Sequence, residues 1–314
     1  MSLNKIKHRQ FIQSMNLPNK VKIVEVGPRD GLQNQTKTIS VTDKVELINR
    51  LSDCGLTSIE VGSLVSAKLM PQMADSDAVY QQIKYHPDIQ YLMLVINQKG
   101  FDRAIKTGIK RIAVVCAASD EFSDKNINCT IEQSLINIQS ICEQAIDKNI
   151  SVRAYISCVL GCPYQGSVNN NQVGAIAARL QQYGCDEISL GDTIGIGTAG
   201  QVKELLDTLE HFVPIDNLAV HFHDTYGQAL ANILVALQSG VKIIDSSVSG
   251  LGGCPFAPGA SGNVATEDVI YMLNGLGIES GIELNQLIST SWYISRILQR
   301  QPGSRIAQAQ CKIQ

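Results

Sequence analysis

Two histidines one residue apart, His221 and His223, are the strongest chemical signal in the chain. They close an apolar run, Leu218 to His223, that reads as a β-strand, and alternate residues of a strand point to the same face. The chain holds only five His, so a pair at this spacing reads either as two ligands of one metal ion or as two hydrogen-bonded histidines. Other strand ends carry side chains able to join them. In Glu25-Val26-Gly27-Pro28-Arg29-Asp30-Gly31, Arg29 and Asp30 offer a cation and a carboxylate, unless they only hold a turn between Pro28 and Gly31. Glu60 is either a surface charge or an inward acid that needs a partner such as Arg29. Asp192 follows a further run in Gly191-Asp192-Thr193.

The segment from Gly250 to Asp268 contains five Gly and two Pro, the composition of a long loop able to close over a site. Within it Cys254 can approach a ligand closely among glycines, or act as a small apolar filler. Asn263 is a polar group at the same end or the N-cap of the helical run that follows. The four-residue step from Cys158 to Cys162 is not a C-x-x-C pair and has no second pair to complete it, so no metal is assigned there. A metal held by oxygen and imidazole favours Mg2+ or Mn2+, although two imidazoles with a carboxylate also accept other divalent ions. Such an ion polarises a hydroxyl and a carbonyl that chelate it. An Arg for enolate charge and a loop thiol able to donate a proton then suit reversible C–C chemistry beside a carbonyl.

The elements that must position these groups alternate regularly. Strand-like runs are Val21 to Val26, Ser58 to Val61, Gln90 to Ile96, Arg111 to Cys116, Ser151 to Ser157, Glu187 to Leu190, Leu218 to His223 and Lys242 to Val248. Helical stretches lie between them, among them Thr42 to Asp53, Ala74 to Lys84, Ile131 to Lys148, Val173 to Tyr183, Gln201 to His211 and Ala229 to Ser239. Glycines stop several, at Gly55, Gly108, Gly184 and Gly240. Eight such units predict an α/β fold of the TIM (β/α)8 barrel type, whose active site lies at the carboxyl ends of the strands. The first turn, GPRDGLQ, is not the G-x-G-x-x-G of a dinucleotide-binding open sheet. Residues 1–314 read as a single catalytic domain, with a barrel over about 21–280 and a C-terminal helical extension over about 281–314, including Leu284 to Arg300.

Charged residues make up 18% of the chain, below the globular average of about 25%, which argues against disorder. A net charge of −3 without a basic block argues against a nucleic-acid partner, and the absence of a run of 18 apolar residues against membrane insertion. Nine scattered Cys read as reduced thiols rather than a secreted disulfide framework. The start, MSLNKIKHRQFIQSMNLPNK, is basic but lacks the apolar core of a signal peptide, and an organellar presequence is the weaker alternative to a cytoplasmic location.

The blocks VEVGPRDGLQNQ, SIEVGSLVS, FSDKNINCT, SVRAYISCVLGCPYQG, ISLGDTIGIGT, HFHDTYGQALAN and SGLGGCPFAPGASGNVATEDVIYMLNGLGI, between about Val21 and Lys312, resemble the 3-hydroxy-3-methylglutaryl-CoA (HMG-CoA) lyase family. The resemblance implies cleavage of (S)-HMG-CoA to acetyl-CoA and acetoacetate, in leucine degradation or ketone-body metabolism. By the same resemblance Asp30, His221, His223 and Asn263 bind Mg2+ or Mn2+, Arg29 steadies the enolate oxygen, and Cys254 protonates the acetyl carbanion. It further implies that Glu60 and Asp192 are functional acids, that Asp30, His221 or Glu60 is the base, and that Asn126 and Arg153 bind substrate, either CoA or the acyl carboxylate. A homodimer with a redox-sensitive Cys311 is implied too; Ile313-Gln314 is not a peroxisomal signal. The competing readings are a lyase for a related 3-hydroxyacyl-CoA, a condensing synthase of the same superfamily, and a non-catalytic acyl-CoA-binding barrel.

Overall fold

The eight expected runs form eight parallel strands that pair in chain order, with β8 closing back onto β1, in a computed structural model described over residues 15–253 and 262–310. They are β1 (Lys22–Glu25), β2 (Ser58–Ser63), β3 (Gln90–Leu94), β4 (Arg111–Ala117), β5 (Ser151–Ser157), β6 (Cys185–Asp192), β7 (Leu218–Phe222) and β8 (Ile243–Ser246). Strand limits follow the neighbouring ladder rather than local β-branched content. Thus the run read as Glu187 to Leu190 extends to Cys185–Asp192, while Lys242 to Val248 shrinks to the four residues that pair with β1. Arg111 to Ala117 and Ser151 to Ser157 match residue for residue.

The main helices are α1 (Val41–Asp53), α2 (Ser76–Gln82), α3 (Gln98–Thr107), α4 (Asp120–Ile127), α5 (Ile131–Asp147), α6 (Asn170–Gln182), α7 (Ala199–Leu209), α8 (Ala229–Gln238), α9 (Thr266–Leu276), α10 (Leu284–Leu298) and α11 (Arg305–Ala309). Several begin where a side-chain oxygen takes up an orphan N–H. Ser40, Asn97, Ser119 and Thr130 accept from Asp43, Gly100, Phe122 and Gln133. Helix α3 ends at Gly108 with φ 77°, the left-handed conformation expected of that stop. The segment read as Leu284 to Arg300 is one helix, α10, whose Trp292 indole donates to the Ala307 carbonyl of α11. No helix among the described residues is long and apolar enough to cross a membrane.

Period-two alternation divides each strand between two environments. Ile23, Ile59, Ile112, Ile156, Val220 and Ile244 belong to the large core that includes Leu47, Leu135, Leu205 and Ile233 of the surrounding helices. Val24, Val26, Leu92, Leu94, Ala113 and Tyr155 form a separate cluster on the barrel's inner face. Between β5, β6 and β8 that inner face is charged instead. Arg153 is 0% exposed and bonds Glu187 and Asp245; Lys22 and Arg111 also pair with Glu187. The Arg153 guanidinium packs 4.7 Å from the Tyr155 ring centre.

Arg153, expected from the resemblance to bind CoA or the acyl carboxylate, lies enclosed within the barrel. Its guanidinium has no exposed surface and neutralises two internal carboxylates, Glu187 and Asp245. A buried Glu25 does comparable work at the rim. It accepts from the Gly27 and Val248 amides at 2.8 Å and from the Thr266 hydroxyl at 2.6 Å, tying β1 to the exit of β8 and the start of α9. Burial outweighs those bonds and pushes its carboxyl up to about 7.

Arg153→Met should destabilise the fold by about 3–5 kcal/mol, because it leaves the buried Asp245 carboxylate without a permanent cation, while Glu187 keeps Lys22 and Arg111. Denaturant unfolding measures this, and a loss below about 1 kcal/mol would show that the cluster carries no such constraint.

Candidate active site

The residues Gly27–Gly31 wind into a single π-helical turn directly after β1, with Pro28 in its first turn. The turn points Arg29 and Asp30 into the barrel mouth side by side, 2.8 Å apart at Nη1 and Oδ1. Arg29 Nη2 reaches Glu60 Oε2, also at 2.8 Å, so the inward Glu60 has the partner expected for it. Tyr155 donates to the same Glu60 oxygen at 3.0 Å, and the Arg29 guanidinium lies 5.3 Å from the Tyr155 ring centre. Burial raises the Glu60 carboxyl, opposed by Arg29. Burial also acts to raise Asp30, but Arg29 and the two imidazoles outweigh it and hold its carboxyl down at about 2.

His221 is on β7 and His223 immediately follows it, with ring centres 5.5 Å apart. His221 Nδ1 lies 3.2 Å from Asp245 Oδ2, which leaves Nε2 turned toward Asp30 Oδ2 at 3.9 Å. His223 Nδ1 is buried without a hydrogen-bond partner. Burial, helped by His221, lowers His223 to about 4, so its ring is neutral and its lone pair free at neutral pH. One ligating atom each from Asp30, His221 and His223 falls within a 4.8 Å span.

Asn263 completes the group through the backbone. It pairs with His223 in a short antiparallel bridge, and its amide donates to Asp30 Oδ2 at 2.7 Å and to the Leu251 carbonyl at 3.2 Å. Helix α9 begins three residues later with Ala265 at its N-cap, so Asn263 is not the cap of that helix. The orphaned His223 nitrogen and the converging carboxylate, imidazole and amide groups fit a divalent cation that accepts oxygen and nitrogen ligands. A cavity of about 280 Å³ opens above them, lined by Arg29, Asp30, His221 and His223 on one side and by Val65, Leu69, Ile96, Val115 and Phe122 on another.

Comparison with known proteins agrees with this geometry. Residues 20–294 match the family model described as HMGL-like. The chain belongs to the HMGL-like family. It is 53% identical over 295 residues to the 3-hydroxy-3-isohexenylglutaryl-CoA/hydroxymethylglutaryl-CoA lyase of Pseudomonas aeruginosa, covering 94% of this chain and 98% of that one. It is 52% identical over 297 residues to the mitochondrial hydroxymethylglutaryl-CoA lyase of Homo sapiens, covering 95% and 91%. The crystal structure of the Pseudomonas aeruginosa hydroxymethylglutaryl-CoA lyase superposes with a TM-score of 0.92 at 53% identity over 94% of this chain and 98% of that one. An HMG-CoA lyase from Acinetobacter baumannii, solved with coenzyme A and 3-methylmalate, gives a TM-score of 0.89 at 34% identity, covering 93% and 95%.

Within this HMGL-like barrel the residues singled out in the sequence fall into distinct positions. Arg29, Asp30, His221 and His223 face the cavity, and Asn126 lines its outer part from α4. Glu60 sits behind Arg29 and is itself fully buried. Asp192 is likewise enclosed, its carboxylate accepting from the Ile196 and Gly197 amides at 3.2 and 2.8 Å, and burial raises it to about 6 despite those bonds. Cys254 and Cys311 lie outside the described residues. Sequence reading passed over Gln33, which donates to Asp30 Oδ1 at 3.0 Å, and Tyr155 and Asp245, which touch Glu60 and His221. Asp245 had a readable signal, since a lone acid inside the apolar run Lys-Ile-Ile-Asp must find a partner within the barrel.

His223→Ala should lower the affinity of metal-stripped protein for Mn2+ by at least about tenfold, or 1.4 kcal/mol, as read by the EPR signal of the free ion. Affinity equal to that of the unsubstituted protein would remove His223 from the ligand set.

Proposed function

We propose that the protein cleaves (S)-3-hydroxy-3-methylglutaryl-CoA to acetyl-CoA and acetoacetate, a retro-Claisen reaction. The observation that carries the proposal is the convergence of Asp30, His221, His223 and Asn263 beside Arg29 at the mouth of an HMGL-like barrel. These four residues would hold the cation, and an oxygen-nitrogen set without thiolate supports Mg2+ or Mn2+. When bound, that cation would supply Lewis acidity to a hydroxyl and a carbonyl that chelate it.

The chain's own groups account for the remaining chemistry. A base takes the proton of the C3 hydroxyl, the C2–C3 bond breaks as the C3 oxygen becomes the ketone of acetoacetate, and the electron pair passes into the acetyl-CoA enolate. Arg29 carries permanent positive charge at the cavity wall and steadies that enolate oxygen. Cys254 returns a proton to C2. Of the three bases open from the sequence, Asp30 and His221 face the cavity, whereas Glu60 is committed to Arg29 and Tyr155. Glu60 and Asp192 then serve as positioning groups, the first for Arg29 and the second for the turn at residues 195–197. The exposure of Asn126 at the rim of the cavity supports a contact with the CoA portion.

The apolar wall favours a second reading of substrate range. Leu69 is 71% exposed beside Ile96 and Val115, so a C3 branch longer than methyl would cover surface now open to water. We further assign the whole chain to one catalytic unit, acting as a homodimer in a reducing, cytoplasmic setting; the family resemblance supports the first two, and the unbridged thiols of Cys54, Cys116, Cys129, Cys142, Cys162 and Cys185 support the reducing setting.

Metal-stripped protein incubated with HMG-CoA should yield acetyl-CoA and acetoacetate, by mass spectrometry, only after Mg2+ or Mn2+ is restored. No products from folded, metal-loaded protein would reject this substrate. Arg29→Gln should keep Mn2+ affinity but lower kcat by at least about a hundredfold, as expected for loss of a charge aimed at the enolate. An unchanged kcat would sink that role.

A further inference from the structure

We propose that Asp245 is a positioning residue that fixes which ring nitrogen of His221 faces the cation. Asp245 belongs to β8, is 2% exposed, and its register partner on β7 is His221. Three donors converge on its carboxylate. Arg153 bonds Oδ1, while Ser189 Oγ reaches Oδ2 at 2.7 Å and His221 Nδ1 lies 3.2 Å from the same oxygen. A carboxylate paired to a permanent cation can only accept, so Nδ1 must carry the proton and Nε2 the lone pair. Nε2 is the atom turned toward Asp30.

The contact therefore selects a tautomer and holds the ring plane at once, the office that a carboxylate performs for a metal-bound histidine. Among the described residues no carboxylate hydrogen-bonds His223 Nδ1, so the two imidazoles are oriented by different means. Arg153 and Glu187 extend the chain of support downward, which gives the buried ion cluster a consequence at the barrel mouth.

Asp245→Asn provides the test, because it keeps the shape while reversing one hydrogen bond. Arg153 requires an acceptor, so the new amide oxygen turns to it and the NH2 faces His221. Nδ1 must then accept, and the proton moves to Nε2. The proposal rests on the reading of Asp30, His221, His223 and Asn263 as cation ligands. That reading is checked in the unsubstituted protein: failure of metal-stripped wild-type protein to bind Mn2+ would overturn it and the present proposal together.

With 15N-labelled histidine at about pH 8, above the usual imidazole range, the ring signals of metal-free protein report the tautomer directly. Wild-type His221 is expected in the Nδ1–H form and D245N in the Nε2–H form, with Mn2+ affinity about 10–100-fold weaker in the variant. Wild-type His221 in the Nε2–H form would overturn the proposal whether or not D245N folds. So would a folded D245N that keeps the wild-type tautomer and affinity, while wild-type Mn2+ binding leaves the ligand reading intact.

Discussion

A permanent positive charge enclosed within a closed barrel is the constraint on which the site depends. Arg153 cannot lose its proton and cannot reach water, so β6 and β8 must each present a carboxylate to it. Once Asp245 is held on one oxygen by Arg153, its other oxygen is free to engage Ser189 and His221. The cluster is a weak source of net stability, since desolvation offsets most of its attraction. Its stronger effect is to leave few alternative arrangements for the side chains above it.

Tyr155 joins this lower layer to the mouth. Its ring lies between two guanidinium groups, Arg153 at 4.7 Å and Arg29 at 5.3 Å from its centre, and its hydroxyl donates to Glu60. Arg29 is thus gripped by Glu60, Asp30 and an aromatic face, and its charge is directed before any ligand arrives. Such preorganisation avoids the reorganisation cost that a solvent-borne cation would carry. The apolar half of the inner face, with Val24, Leu92 and Ala113, has no comparable task and simply fills the barrel.

The strand–helix alternation and the groups at strand ends were legible in the sequence because both depend on local pattern. Barrel geometry sends alternate residues of β7 to the same mouth, so the spacing of His221 and His223 survived folding as a spatial pair. Tertiary partnerships were less legible. Arg153 matched a family block, yet nothing in its neighbours along the chain reveals two carboxylates from strands over 30 and over 90 residues away. Gln33 and the π-helical turn at Gly27–Gly31 escaped for another reason. Pro and Gly announce a turn without stating its winding, and the winding decides which side chains share a face.

The base of the glycine-rich loop has a geometry with wider reach. Gly252 and Gly262, with φ of 148° and 86°, approach so closely that a Cβ on Gly262 would lie 2.6 Å from the Gly252 carbonyl carbon and 2.7 Å from the Gly253 nitrogen. A Cβ on Gly252 would lie 2.9 Å from the Asn263 side-chain amide. The loop therefore leaves the barrel through a pinched neck, and Asn263 stands on the barrel side of it. A side chain at either glycine of the neck would press on the opposite backbone or on the Asn263 amide, so a change there reaches the cation site without replacing any of its ligands.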